Sequence, residues 1–104
     1  MYSPVFLTTE NQLNKVLKQQ KKFKIPMGVM FTSLWDKHSQ RLVRRIKSSL
    51  TSMEGKPLYI VDSYTMPHAF VIFKTTKLPH LVQFNKVGMV SEDYLPKVYE
   101  ELGL

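Results

Sequence analysis

An α/β domain with a mixed central sheet of four to five strands flanked by helices is predicted by three features of the chain. Apolar and amphipathic segments follow one another in the order β-α-β-α-β-(α)-β-β-α, an order that layers helices on a sheet. The segment "IPMGVMFTS" (25–33) is apolar on both alternating faces, with Ile25, Met27, Val29 and Phe31 on one side and Met30 on the other. Strands of that kind sit in the middle of a sheet, covered above and below. The 104 residues, 43% of them hydrophobic, suit one domain over 1–104 whose core needs neither metal nor disulfide.

Each element has its own signal. "SPVFLT" (3–8) reads as a first strand. Thr9 and Gln12 have the spacing of a capping box, and Leu13, Val16 and Leu17 then mark the buried stripe of a helix. That helix fades near Lys24, because Pro26 disfavours helical geometry at Ile25. A second helix begins between Ser33 and Asp36, buries Leu42, Val43, Ile46 and Leu50, and ends by about Gly55. "PLYIVD" (57–62) is the next strand. "MPHAFVIF" (66–73) is open between strand and short helix: its composition favours the first, its position the second. "PHLVQFN" (79–85) is a strand, with "VGMV" close enough behind it for a hairpin. Ser91 or Asp93 caps a last helix carrying Leu95, Val98, Tyr99 and Leu102, with Pro96 in its first turn or at a bend.

Composition excludes several chemistries. The chain has no cysteine, so disulfides, thiolate metal sites and cysteine-based catalysis are absent together. "MYSPVFLTTE" has no basic head or long apolar run, and the apolar stretch around "IPMGVMF" is far too short to span a bilayer. A soluble cytoplasmic protein that does not engage membranes is expected. Fifteen Lys and Arg against eight Asp and Glu give a net charge of +7, which favours acidic protein partners or nucleic acid. The cations cluster in "NKVLKQQKKFK" (Lys15, Lys18, Lys21, Lys22, Lys24) and "DKHSQRLVRRIK" (Lys37, Arg41, Arg44, Arg45, Lys47), the solvated faces of the first two helices.

Taken in order, the segments resemble those of a thioredoxin-like protein from about Val5 to Leu104. "FLTTENQLNKVL" is similar to the family's first strand and helix, and "VMFTSLW" to the central strand running into the tryptophan before the Cys-x-x-Cys motif. "LYIVD" resembles the third strand with its terminal acid, and "KLPHLVQFNKVG" the cis-proline segment and hairpin. The resemblance puts Asp36 and Ser39 at the two cysteine positions, with Lys37 and His38 between them, and Met30 where the family's buried acid lies. A carboxylate and a hydroxyl cannot attack a disulfide, so it implies a redox-inactive member. It also implies a cis bond before Pro79. The surface around Leu34, Trp35, Asp36, Lys37, His38, Leu78, Pro79 and His80 would then receive an extended polypeptide by backbone pairing.

Those residues also have plainer readings. A carboxylate suits a helix N-terminus, and Ser33 and Asp36 have the spacing to cap one reciprocally. Asp36, His38 and His80 would converge in this fold, but three ligands of undiagnostic spacing do not make a metal site, and no metal or cofactor is expected. His38 shares a stripe with Leu42 and Ile46 and reads as a packing histidine; His68 is given no role. The expected function is a protein-binding adaptor or modulator without enzymatic activity. One alternative is nucleic-acid association through Lys37, Arg41, Arg44 and Arg45 with Lys18 and Lys22 of the first helix. Another is non-thiol chemistry at Asp36, His38 and Ser39.

Overall fold

The computed structural model describes residues 2–49 and 55–104. The elements are β1 (Tyr2–Phe6), α1 (Glu10–Phe23), β2 (Met27–Thr32), α2 (Lys37–Ser49), β3 (Lys56–Asp62), α3 (Pro67–Ile72), β4 (His80–Asn85), β5 (Gly88–Asp93) and α4 (Lys97–Glu101). They build a five-stranded sheet in the order β1-β3-β2-β4-β5. β1, β3 and β2 run parallel, while β4 and β5 run antiparallel to their neighbours. β2 is central and buried along its whole length, as its two apolar faces require.

Local chemistry sets most of the boundaries. The Thr9 hydroxyl accepts from the Gln12 amide at 3.2 Å, and the Gln12 side chain accepts from the Thr9 amide at 3.1 Å, closing the capping box that starts α1. Lys24 ends the helix in the left-handed region, at φ 55°, just before Ile25 and Pro26. β1 begins one residue earlier than its composition predicts and stops at Phe6. It lies at the sheet edge, where Pro4 lacks no needed ladder donor. Gly28 is closely packed: a Cβ there would meet Leu58 Cδ1 at 3.0 Å and Tyr2 Cε1 at 3.2 Å, so those side chains would have to shift.

The sheet separates two cores. On one face α2 and α4 bury Leu42, Ile46, Val98 and Leu102 against Tyr2, Met30, Leu58 and Leu81. On the other, α1 and α3 bury Leu13 and Ala69 against Met27, Val29, Phe31, Val61 and Val82. Val43 is only half-buried, and Leu50 with the expected end of the second helix lies outside the described residues. The ambiguous "MPHAFVIF" segment is helical from Pro67, a residue that suits the first turn.

The last helix corrects the sequence reading. Ser91 and Asp93 cap nothing, because both belong to β5; α4 starts only at Lys97, with Pro96 at its N-cap and no side-chain cap. The hairpin ladder carries β5 on to Asp93, opposite Leu81, and so takes residues that a helix-start pattern claims. Among the described residues no helix is long and apolar enough to cross a membrane.

Candidate functional site

The carboxyl end of β2 leads into a turn whose backbone is almost fully engaged. Asp62, at the end of the neighbouring β3, accepts from the Leu34 amide through Oδ1 and from the Tyr64 amide through Oδ2, both at 2.8 Å. The Gln40 side chain donates to the Leu34 carbonyl. Ser33 accepts twice, its hydroxyl from the Trp35 amide at 3.3 Å and its carbonyl from the Asp36 amide at 3.2 Å. The backbone is thereby fixed from both sides while the side chains face outward: Leu34 is 61% and Trp35 81% exposed. An exposed aromatic on a held backbone presents apolar area to a partner with the main-chain ordering already in place.

Asp36 serves α2. Its Oδ2 accepts from the Ser39 amide at 2.8 Å, satisfying one of the orphan donors of the first turn. The reciprocal Ser33–Asp36 box does not form, since Ser33 caps the turn one step earlier. Ser39 is fully buried, and its hydroxyl has no hydrogen-bond partner among the described residues. A buried hydroxyl and a carboxylate committed to an amide give no support to nucleophilic chemistry here.

Across from the turn, Leu78, Pro79 and the residues before them form one wall of a groove of about 430 Å³, completed by His38, Thr76, Lys77, Tyr94 and Leu95. The Leu78–Pro79 bond is cis. Leu78 lies outside the ladders, and its amide and carbonyl have no backbone partner among the described residues. His38 is exposed at the rim, not packed under α2 as its stripe with Leu42 and Ile46 suggests.

His80 is corrected from a surface residue to a core one. It is fully buried, sandwiched between Phe31, with centroids 5.5 Å apart, and Tyr94, at 4.6 Å and an interplanar angle of 9°. Nδ1 shares a hydrogen bond with the Thr75 hydroxyl at 3.0 Å. Nε2 lies 3.3 Å from Glu92 Oε1, close enough to feel its charge but without hydrogen-bond alignment. Burial pulls the imidazole pKa below its ordinary value, with Glu92 and Asp93 opposing the shift. Asp36, His38 and His80 do not assemble, and among the described residues no three metal-ligating side chains do.

The basic residues do not form one surface. α1 and α2 cover opposite faces of the sheet. The end of α1 feeds the start of β2 and α2 leaves its far end, separating Lys22 from Lys37 by a strand roughly 17 Å long as well. Lys18 and Lys22 therefore cannot extend the stripe of Lys37, Arg41, Arg44 and Arg45.

Sequence reasoning missed Asp62, Gln40 and Tyr94 as parts of this region. Only Asp62 left a trace, as the acid ending "LYIVD".

A parallel β-α-β unit, an antiparallel hairpin, paired helices on both faces and a cis-proline facing the turn of the central strand together define a known architecture. The fold is that of thioredoxin. The thioredoxin of Trypanosoma brucei brucei superposes with a TM-score of 0.75 at 13% identity, covering 97% of this chain and 88% of that one. Fasciola hepatica thioredoxin gives 0.73 at 17% identity, over 94% and 95% of the two chains. Oxidised thioredoxin O2 of Arabidopsis thaliana gives 0.69 at 20%, over 96% and 94%. No family model matches the sequence, and no curated protein matches it. Within this thioredoxin fold, the absence of cysteine leaves no group able to carry out thiol–disulfide exchange.

Proposed function

We propose that this protein is a redox-inactive thioredoxin-fold adaptor or modulator that binds another protein through the surface around the Trp35 turn and the Leu78–Pro79 groove. The observation that carries this reading is the clamped, outward-facing Leu34–Trp35 pair beside a groove whose Leu78 backbone is unpaired. An extended segment gains main-chain hydrogen bonds at such an edge, and an exposed tryptophan is the residue type most often found at the energetic centre of an interface. Neither feature depends on sulfur. The protein acts by holding its partner and not as an enzyme.

The test is affinity capture with the tagged protein from native lysate, after nuclease and at low and moderate salt. One protein retained by the wild type and lost with Trp35→Ala is expected; equal retention by that variant rejects the surface. Any reduction of insulin disulfides above the blank rejects the redox-inactive assignment.

Nucleic-acid association is supported by one observation: Lys15, Lys18 and Lys22 recur at helical spacing on the outer side of α1, exposed and in no ion pair among the described residues. Binding through phosphates would weaken steeply with salt. A single exposed aromatic, Phe23, accompanies those lysines, with Lys22 Nζ 5.3 Å from its ring centroid, where single-strand binding proteins stack successive bases on several.

A further inference from the structure

We infer that the segment received by the groove is acidic, a specificity that rests on the protein-binding reading above and that the charge around the groove carries. The groove combines an apolar floor, made by Leu78, Pro79, Tyr94 and Leu95, with Lys77 and His38 among its lining and further cations on the surface around it. Lys77 lines it and Lys74 stands on the same loop; both are exposed. On the opposite wall, His38 at the rim is followed one and two turns later by Arg41 and Arg45, which helical spacing sets on the same flank of α2. Lys37 stands beside them at the first position of the helix.

Among the described residues no carboxylate lines the groove. The acids nearest it in sequence are directed at other groups and do not line it. Asp36 holds the Ser39 amide, Glu92 lies against His80, and Asp93 is buried with Lys97 3.7 Å away. A cleft with one sign of charge and apolar walls focuses the field and selects the opposite sign. The fitting occupant is an extended peptide whose aliphatic side chains reach the Leu78–Tyr94 floor and whose Asp or Glu residues face Lys77 and the α2 flank. A basic segment is repelled at the same place.

The deciding experiment pans a phage-displayed library of random peptides against the intact protein, the charge-reversal variant K77E/R41E and Trp35→Ala. Enriched peptides are then synthesised and titrated by Trp35 fluorescence. Acid-rich peptides are expected for the wild type. Their affinity should fall by about tenfold in K77E/R41E, reflecting two exposed ion pairs reversed to repulsion, and should decline with added salt. Peptides that need Trp35 but show no excess of Asp and Glu, and bind the reversal variant equally, overturn the charge assignment and leave the groove reading intact. Enrichment indifferent to Trp35→Ala, or no enrichment, overturns both. An oligonucleotide that displaces the acidic peptides and binds more tightly than they do assigns the cations around the groove to phosphate and overturns the peptide assignment.

Discussion

The two sides of the turn after β2 are built in opposite senses. On the outside, apolar Leu34 and Trp35 stand in water on a backbone held by Asp62, Gln40 and Ser33. On the inside, polar Ser39 and His80 are sealed from water with hydrogen-bonding capacity left over. Each arrangement reverses the usual partition of side chains. The outer reversal is cheap, because an exposed indole costs the monomer little and is available to a partner. The inner one costs stability, because a buried polar atom without a partner has given up its hydration. The proposed binding surface lies on the outside of the turn, whereas Asp36 and Ser39 face the start of α2 and the interior.

The largest expected effect tests the outer side. Trp35→Ala should weaken partner binding by about 2 kcal/mol, roughly thirtyfold, as a central aromatic does. Its unfolding free energy should stay within about 0.5 kcal/mol of wild type, as for an exposed site. A variant that unfolds more easily would mean that the indole is a packing residue and that the contrast fails. Asp62→Ala should remove about 2 kcal/mol of stability, because two backbone amides, those of Leu34 and Tyr64, lose a charged acceptor. It should also lower partner affinity by freeing the turn; an effect on stability alone would show that the clamp is not needed for recognition.

Asp36→Ala should cost about 1 kcal/mol, the worth of an N-cap, and chemical denaturation measures it directly. Ser39→Ala sharpens the inner side. Removing an unpartnered buried hydroxyl should leave stability unchanged or raise it by up to about 1 kcal/mol. A clear loss would mean that the hydroxyl has a partner after all.

The subtlest readout is pH. Burial lowers the His80 pKa from its ordinary 6.5, so the native protein holds the ring neutral where the unfolded chain already takes up a proton. Its contribution is fully present above pH 6.5 and is lost as pH falls toward the native value. Stability should therefore decline on mild acidification, and His80→Leu should flatten that decline. An unchanged slope would place the titration elsewhere.

Much of the fold was legible because its signals are local. The Thr9–Gln12 box, the two apolar faces of 27–32 and the break at Pro26 each act within a few residues, and each appears in the structure. The last helix was misplaced because the same residues had two uses. Ser91 and Asp93 look like caps in isolation, but a ladder to β4 satisfies their backbone first. At the site, the turn and the proline segment were visible in "MFTSLWDKHSQ" and "KLPHLVQF", whereas the fate of each side chain was not. His80 and His38 exchanged their expected roles, since which histidine is covered depends on where Phe31 and Tyr94 stack.

The sequence by itself determined that thiol chemistry is absent, that the chain is basic, and that helices cover a sheet with a fully apolar central strand. Those follow from residue types and from periods of a few residues. Only the tertiary structure decided that the two lysine- and arginine-rich helices lie on opposite faces. It alone decided that Asp62 clamps the turn from another strand, and that His80 is sealed behind Tyr94. Each of these joins residues from separate elements, and burial, pairing and charge proximity between such residues are properties of packing that no local pattern contains.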